Sequence, residues 1–409
     1  MSTSSPVRVL YCENNVDGTI GGSHHCLLNL VSGLDRTRFD PTVVFYQAHA
    51  LVPRFEAVAA TRIVEPLALG VRRAQRALPR AVAGKLGTVA RFVRMVRQRM
   101  TFMRTHGTQL LCLNNSVTRH HDWMLAARLA GIPCIVHERG LNARYGWLDR
   151  FFASRLALLV PMSLWVRDHM VARGVSPRNV RVLYDGLDPE SVRPTRSEQA
   201  LRQAYGIEAS QPVIGIVGNV REWKGQEVVV RALGDVVRRW PDVVCFFVGA
   251  ATEADRAYQA KLDALIDEAG IAGNVRFTGY QQDPASFMQL MRFVVHASIQ
   301  PEPFGMVVLE AMALRRAVIG SRAGGPVEIV EDGETGYTFA PGNSAELAGR
   351  ISLLLEDPPL AVRMGERGYR RLRDAFTLDH YVGQMQSAYD AILAGRPVSP
   401  DFGLRAPCA

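Results

Sequence analysis

Short apolar runs rich in Val and Ile alternate with longer stretches of helical character along this chain of 409 residues. Strands buried on both faces read as continuous apolar runs, and strands that alternate with helices form parallel sheets. The runs fall into two series. The first series is Val7–Cys12, Thr42–Tyr46, Leu110–Asn114, Cys134–His137 and Leu158–Pro161. The second series is Val213–Gly218, Val243–Gly249, Val275–Thr278, Phe293–His296 and Ala317–Gly320.

The two series predict an α/β protein made of two doubly wound domains, each with helices on both faces of its sheet. Asp188-Pro189 and Arg193-Pro194 interrupt regular structure between the series, and Phe376-Thr377-Leu378 marks a second break. We therefore expect an N-terminal domain over residues 1–190 and a second domain over 191–376. A C-terminal helix is expected within 377–395, followed by a disordered tail over 396–409.

The net charge of +9 is local to one segment. Ten Lys and Arg residues and no acid lie between Val71 and Arg104, and the rest of the chain has 38 basic and 39 acidic residues. A protein that coats nucleic acid would spread its charge more widely, so nucleic acid is not an expected partner.

The ends and the cysteines predict a cytoplasmic protein. The start, MSTSSPVRVLYC, lacks a basic segment followed by a long apolar stretch, so we expect no secretory signal. No run approaches the roughly 20 apolar residues that cross a bilayer. Six cysteines without paired spacing are typical of buried free thiols in a reducing compartment.

The strongest motif lies within Gln300–Tyr337. A loop containing Glu302 follows a strand, and Phe304-Gly305-Met306-Val307 then opens a helix whose first amides can bind phosphate. Glu310 follows Glu302 after seven residues, and both carboxylates suit hydroxyl groups better than phosphate. Gly324-Gly325-Pro326 offers a second close approach to the backbone. Either acid alone is typical of a solvated helix start, but the ordered set favours a ligand site.

A second motif, Val217 to Gly225, follows the first strand of the second series. Arg221 and Lys224 there can converge on one anionic group. In open α/β sheets, ligands bind outside the carboxyl ends of the strands, which is where this loop lies. An isolated Arg-x-x-Lys pair is more often part of a solvated loop. The prediction of an anion site therefore rests on the location of the pair at the carboxyl end of a buried strand.

A third motif, Asp17 to Ser23, follows the first strand and includes Gly21 and Gly22. Its glycines let a ligand approach a helix N-terminus, although a plain connection would look the same. The chain has neither G-x-G-x-x-G spacing here nor a G-x-x-x-x-G-K-[ST] sequence anywhere, which disfavours dinucleotide oxidoreductases and P-loop NTPases.

With these motifs the chain resembles the retaining glycosyltransferases of family 4 over nearly its whole length, less closely over Ala50–Asn114. The resemblance implies the GT-B fold, two Rossmann-like domains facing across a cleft. It implies that Glu302 contacts the transferred sugar and Glu310 the ribose of the donor. The implied donor-binding residues are Gly21, Gly22, Asn219, Phe304, Gly305, Met306, Val307 and Glu310.

The resemblance also implies catalytic roles. Arg221 and Lys224 match the basic pair of the family, although Asn219 occupies the usual arginine position. His137 matches a strand-end histidine that faces the reacting sugar, whereas a lone histidine there is more often structural. The implied reaction retains the anomeric configuration, with the leaving phosphate taking the proton of the acceptor. The resemblance implies no cofactor or metal, and neither His24-His25 nor His120-His121-Asp122 has zinc-ligand spacing.

Apolar residues recur at helical spacing between Leu86 and Met103, and Arg91, Arg94, Arg97 and Arg99 are assigned to the remaining arc. A solvated basic face is one interpretation. The alternative, which we favour, is a patch for anionic lipid headgroups or a lipid-linked phosphate acceptor. It predicts an enzyme peripheral on the inner face of the cell membrane.

The predicted function is therefore transfer of a sugar from a nucleotide-sugar to a glycan or lipid-linked acceptor in the assembly of polysaccharide, lipopolysaccharide or glycolipid. Two alternatives stay open. One is a sugar-nucleotide epimerase or hydrolase of the same fold, and the other is an inactive GT-B scaffold that binds membrane or protein partners. The donor nucleotide, sugar and acceptor are not predicted.

Overall fold

Two compact units make up the chain, and the computed structural model describes residues 5–13, 20–64, 81–399 and 402–403. Side chains are described in these ranges except for residues 81–87. Unit 1 comprises Met1–Tyr184 and Leu378–Leu404, and unit 2 comprises Asp185–Thr377. The predicted boundaries were at residues 190 and 376.

Unit 1 is built on a six-stranded parallel sheet in the order β3-β2-β1-β4-β5-β6. Its strands are β1 Val7–Cys12, β2 Phe39–Phe45, β3 Ala60–Ile63, β4 Leu110–Leu113, β5 Cys134–Glu138 and β6 Leu158–Pro161. The helices in its first segment, which ends at Tyr184, are α1 Gly22–Gly33, α2 Val52–Glu56, α3 Ala81–Thr105, α4 His121–Ala130, α5 Trp147–Ala153 and α6 Leu164–Ala172. A 3₁₀ turn spans Pro177–Asn179.

Unit 2 has a second six-stranded parallel sheet in the order β12-β11-β10-β7-β8-β9. Its strands are β7 Val213–Val217, β8 Val244–Val248, β9 Val275–Gly279, β10 Phe293–His296, β11 Ala317–Ser321 and β12 Gly336–Phe339. Its helices are α7 Glu198–Tyr205, α8 Gln226–Val237, α9 Arg256–Glu268, α10 Pro284–Leu290, α11 Met306–Ala313, α12 Pro326–Ile329, α13 Ser344–Glu356 and α14 Pro358–Ala375. Its 3₁₀ turns are Pro189–Ser191, Glu222–Lys224, Glu253–Asp255 and Ala272–Asn274.

The final helix, α15 (Leu378–Leu393), belongs to unit 1. Tyr381, Met385 and Tyr389 lie on one face of α15 and are at most 1% exposed. They pack with α1 and with one face of the sheet, and the hydroxyl of Tyr389 is 2.9 Å from that of Tyr11. The C-terminal helix thus completes the first hydrophobic core.

The sequence predicts the α/β class and the parallel sheets correctly but misses β3 and β12. Both are outer strands of four residues. The side chains of β3 are largely exposed, so this strand lacks the continuous apolar run that marks a buried one.

The prediction of a disordered tail is wrong at Phe402 and Gly403. Phe402 is 3% exposed and packs into the core of unit 1 beside α15. Gly403 donates its backbone N–H to Oε1 of Gln384 at 3.3 Å. Burial of the aromatic ring of Phe402 holds this part of the tail against unit 1. The neighbouring residues are mostly small or polar, so the sequence does not indicate this contact.

The assignment of Arg99 to an exposed basic face is also wrong. Arg99 is 6% exposed, and its Nε lies 3.1 Å from Oδ2 of Asp122 on α4. Its guanidinium lies 4.8 Å from the ring of Trp123. The buried stripe of α3 runs through Val96, Arg99 and Met103 at helical spacing, so Arg99 sits within the stripe and not opposite it.

Replacing Arg99 with Ala is expected to lower the free energy of unfolding of the protein by about 3 kcal/mol, because it leaves Asp122 buried without its cation. Arg97→Ala, on the exposed side of the same helix, should cost about 0.5 kcal/mol or less. Urea unfolding followed by circular dichroism measures both. Equal losses in the two variants would contradict the buried pair.

Candidate functional site

The point where the strand order of unit 2 reverses lies between β7 and β10. Strand β7 continues to β8 on one side, whereas β10 continues to β11 on the other. Loops that leave the carboxyl ends of two such strands diverge to opposite faces of the sheet and leave room for a ligand. The loop after β7 carries Lys224 and the loop after β10 carries Glu302, so two predicted site residues come from this reversal.

The two loops are in direct backbone contact. The backbone N–H of Ile299 donates to the carbonyl of Trp223 at 2.9 Å. Gly225 has φ +74° and begins α8, and a Cβ at this position would lie 2.0 Å from the carbonyl oxygen of Ala297. Only glycine permits this approach, which brings the 3₁₀ turn bearing Lys224 against the loop of Glu302.

The carboxylate of Glu302 is the centre of a dense set of hydrogen bonds. Nζ of Lys224 lies 2.9 Å from each of its two oxygens. Nε2 of His296 lies 2.7 Å from Oε2, and the hydroxyl of Ser298 donates to the same oxygen at 3.0 Å. Lys224 also lies 4.4 Å from the ring of Trp223, which restrains its ammonium from the other side.

The electrostatics keep Glu302 ionised. Burial alone would raise the pKa of Glu302, but the hydrogen bond and charge of His296 and the nearby Lys224 ammonium hold it well below its usual range. The site therefore presents a fixed carboxylate beside a fixed ammonium at neutral pH. Such a pair can bind hydroxyl groups and an anion side by side.

The amino end of α11 follows directly. Gly305 precedes the helix, and Met306 and Val307 form its first turn, where backbone N–H groups have no partner within the helix. Phe304 is 1% exposed and anchors the turn by packing near Phe376. This arrangement suits a phosphate or another anion.

Glu310 lies one turn further along α11. Burial raises the pKa of Glu310 above its usual range. Its carboxylate makes no hydrogen bond or ion pair with any described residue. A half-buried carboxylate without a protein partner suits a ligand that supplies hydroxyl groups.

The Gly324-Gly325 pair packs against the backbone of the Glu302 loop. Gly325 donates its N–H to the carbonyl of Glu302 at 2.7 Å, and Gly324 pairs with Glu302 as a parallel bridge. A Cβ on Gly324, whose φ is +79°, would lie 2.0 Å from that carbonyl oxygen. The close approach predicted here is made by the chain's own backbone, and it holds Glu302 in place.

Arg221 and Asn219 have partners outside the Glu302 cluster. Nε of Arg221 is 3.7 Å from Oδ2 of Asp255, and the side chain of Arg221 is 43% exposed. The carbonyl of Asn219 accepts a hydrogen bond from the side chain of Gln226 at 3.0 Å. The structure thus pairs Lys224 with Glu302 but pairs Arg221 with an acid of its own.

Unit 1 has an equivalent reversal between β1 and β4, occupied by a buried polar network. Glu13, 0% exposed, accepts hydrogen bonds from the side-chain amides of Asn114 and Asn115. Nε of Arg139 donates to Oδ1 of Asn114 at 2.7 Å, and the same guanidinium donates to the hydroxyl of Tyr381 at 3.1 Å. The network connects the ends of β1, β4 and β5 with α15.

His137 lies on β5 beside this network. It is 5% exposed, and its Nδ1 is 3.5 Å from the hydroxyl of Tyr381. Its Nε2 has no hydrogen-bond partner among the described residues. Burial, with a smaller effect of Arg139, holds the pKa of His137 well below its usual range, so its imidazole is neutral at physiological pH.

Gly21 and Gly22 begin α1 at the carboxyl end of β1 and are exposed. A Cβ on either would meet no atom within 4 Å, so packing does not require glycine there. Residues 17–19 of this predicted motif lie outside the described residues.

The histidine pairs are engaged locally. Nδ1 of His24 accepts from the backbone of Gly21 at 3.3 Å, and Nε2 of His121 lies 2.8 Å from Asp149. Within the ranges that the structure describes, no three His, Cys, Asp or Glu residues are grouped so that they could hold a metal ion. In the same ranges, no helix has the length and apolar character that a membrane span requires.

Sequence reasoning missed His296, Ser298, Glu13 and Tyr381. His296 is the last residue of a buried strand, where a polar side chain is unusual, and that signal was available. Tyr381 lies in unit 1 but is more than 200 residues from Arg139 in the sequence, so no local pattern reveals its role.

Comparison with known proteins agrees with this geometry. Residues 197–371 match the family model Glycosyl transferases group 1, and residues 21–186 match the model Glycosyl transferase 4-like domain. The chain belongs to the group 1 glycosyltransferases.

Curated relatives match over part of their length. Alpha-D-kanosaminyltransferase of Streptomyces kanamyceticus is 29% identical over 59% of this chain and 66% of its own length. The lipopolysaccharide core biosynthesis mannosyltransferase LpcC of Rhizobium leguminosarum bv. viciae is 30% identical over 52% of this chain and 60% of its own length. The chain thus spans less than two thirds of each.

Solved structures establish the fold. Anabaena HepE in complex with UDP superposes with a TM-score of 0.79 at 22% identity, covering 94% of this chain and 100% of that one. A glycosyltransferase from Rickettsia africae superposes with a TM-score of 0.82 at 17% identity, covering 95% and 99%. Both units are Rossmann-like, and the fold is GT-B.

Gly324→Ala is expected to destabilise unit 2 through its clash with the backbone of Glu302. Gly333→Ala is the matched control, because Gly333 has φ +80° but open space around its Cβ position. Both variants share the cost of a left-handed residue, roughly 1–2 kcal/mol. The midpoint of urea unfolding should fall clearly further for Gly324→Ala, and equal shifts would refute the close approach.

Proposed function

We propose that the protein transfers a sugar from a nucleotide-sugar to a glycan or lipid-linked acceptor with retention of anomeric configuration. The observation that carries this proposal is the partly buried Lys224–Glu302 pair beside the start of α11. It offers a cation, a carboxylate and free helix amides at the carboxyl edge of one Rossmann-like sheet.

The leaving diphosphate is the group that needs most stabilisation. As the bond to the sugar breaks, negative charge develops on the diphosphate and positive charge on the sugar. Lys224 and the backbone amides of Met306 and Val307 stabilise the first charge. Arg221 adds to them if its exposed guanidinium turns away from Asp255, to which it is held only at 3.7 Å.

Two carboxylates bind the hydroxyl groups of the donor. Glu302 faces the transferred sugar, where its fixed negative charge also favours oxocarbenium character in the transition state. Glu310 takes the ribose hydroxyls. Phe304, Gly305 and Asn219 contribute backbone surface to the same pocket.

His137 is proposed to position the acceptor or the reacting sugar through its unpartnered Nε2. Because its imidazole is neutral, it does not attract the diphosphate as a cation would, and it remains available to a hydroxyl group. Gly21 and Gly22 allow a ligand to reach the amino end of α1. In the proposed front-face reaction the departing phosphate oxygen takes the proton of the acceptor hydroxyl, so no separate base or metal is required.

A surface on unit 1 suits an anionic membrane or a lipid-linked phosphate. The exposed side of α3 carries Arg91, Arg94 and Arg97. Val89 and Val93 lie beside these arginines and are 61% and 43% exposed. Arg99 is buried and is not part of this surface. Basic side chains that flank apolar ones are typical of a helix lying in the headgroup region. We propose a peripheral position on the inner face of the cell membrane.

Two other functions use the same fold. An epimerase or hydrolase would consume the nucleotide-sugar without an acceptor, whereas a scaffold would bind none. The ionised Glu302 beside Lys224 favours an active site, and the names of the relatives favour sugar transfer. A thermal-shift screen with UDP-, GDP- and ADP-sugars identifies the donor, and failure of all to bind would support the scaffold.

Glu302→Gln and Lys224→Ala should each reduce turnover of the identified donor by about 100-fold or more, because each removes charge that acts on the transition state. Arg238→Ala removes an exposed cation of the same unit and should leave turnover unchanged. Release of nucleoside diphosphate measures all three. Near wild-type turnover in folded Glu302→Gln or Lys224→Ala would reject the proposed site.

Replacing Arg91, Arg94 and Arg97 with Gln should weaken binding to vesicles of phosphatidylglycerol by about 100-fold, at roughly 1 kcal/mol for each arginine. Replacing Arg238, Arg256 and Arg363 with Gln changes the charge equally on exposed positions of unit 2 and should have no effect. Cosedimentation measures the binding. Equal weakening in both variants would indicate net charge alone and count against the surface on α3.

A further inference from the structure

The two oxygens of the Glu302 carboxylate are unequally satisfied. Oε2 receives Lys224, His296 and Ser298, whereas Oε1 receives only Lys224 among the described residues. A carboxylate oxygen has about two lone-pair sites. Oε2 is therefore saturated by the protein, and Oε1 retains the capacity to accept from a ligand.

His296 is built to make this contact. It ends β10, whose four residues are all buried, and it is 3% exposed. Its Nε2 lies 2.7 Å from Oε2 of Glu302, which is short and direct for a hydrogen bond to a carboxylate. Its Nδ1 is buried and has no hydrogen-bond partner among the described residues. The buried ring therefore makes its hydrogen bond to Glu302 through Nε2, while its other nitrogen stays unpaired.

Ser298, two residues after His296 in the loop that leaves β10, also binds the carboxylate of Glu302. It is 0% exposed, its hydroxyl donates to Oε2 at 3.0 Å, and it lies 3.3 Å from Nε2 of His296. Since the backbone of Glu302 is already bridged to Gly324, the side chain has little freedom once Oε2 is held.

We propose that His296 is a positioning residue: with Ser298 it anchors Oε2 of Glu302, so that Oε1 faces the donor sugar. Without this anchor, Lys224 is the only described side chain that holds the carboxylate. The carboxylate can then rotate about its bond to the side chain, and Oε1 no longer keeps the position in which it faces the donor. The role of the anchor rests on the proposed function, because it concerns the same site.

Two amide substitutions separate this role from simple packing. Glutamine places its amide nitrogen about where Nε2 of histidine lies, whereas asparagine reaches only to the position of Nδ1. His296→Gln should retain most of the wild-type kcat. His296→Asn should lose about 100-fold in kcat, with a smaller change in KM, because a carboxylate displaced by about 1 Å costs that much in rate.

Val295→Ala is the matched control. Val295 precedes His296 on β10, is 1% exposed and packs into the core of unit 2. It should lower the melting temperature without lowering kcat. Full activity in His296→Asn, or equal loss of kcat in the Asn, Gln and Val295→Ala variants, would overturn the proposal.

Crystal structures of the two His296 variants make the test independent of turnover. A wild-type protein that turns over no nucleotide-sugar would reject the proposed function but not the anchor. The anchor then stands if Glu302 keeps its side-chain torsions in His296→Gln and changes them in His296→Asn. Unchanged torsions in both variants would overturn it.

Discussion

The ion pair between Lys224 and Glu302 is the interaction on which the candidate site depends. It joins the loops that leave β7 and β10, the two strands at which the order of the unit 2 sheet reverses. An ion pair that loses much of its water on folding adds little to stability unless its remaining hydrogen bonds are satisfied. Here His296 and Ser298 supply those bonds, and the backbone at Gly324 fixes the main chain of Glu302. These hydrogen bonds and the backbone contact hold the pair in one geometry.

The two units use the same topological position differently. Both sheets have the same pattern of strand order, and each places charged groups where the order reverses. In unit 2 a cation and a carboxylate lie close to free helix amides, which suits an anionic ligand with hydroxyl groups. In unit 1 Glu13 is enclosed by asparagine amides, and Arg139 is held by Asn114 and Tyr381.

Local sequence patterns predicted much of the fold and the centre of the site. The apolar runs identified ten of the twelve strands in the part of the chain that the structure describes. The two that were missed are outer strands of four residues, and the side chains of β3 are largely exposed. Glu302, Lys224 and the start of α11 could be predicted because each follows a buried strand within a few residues. The partners of Glu302 could not, since their hydrogen bonds depend on side-chain directions in a folded loop. Arg99 was misplaced for a related reason. A helical stripe tolerates an arginine when an aspartate of another helix pairs with it, and that aspartate is remote in sequence.

A structure of the protein with a bound nucleotide-sugar tests the central claim most directly. The account predicts that the diphosphate lies within hydrogen-bonding distance of Nζ of Lys224 and the amides of Met306 and Val307. It also predicts that a sugar hydroxyl donates to Oε1 of Glu302 while Oε2 remains on His296. A donor bound elsewhere on unit 2, with Lys224 still paired only to Glu302 and Oε1 without a ligand, would contradict it.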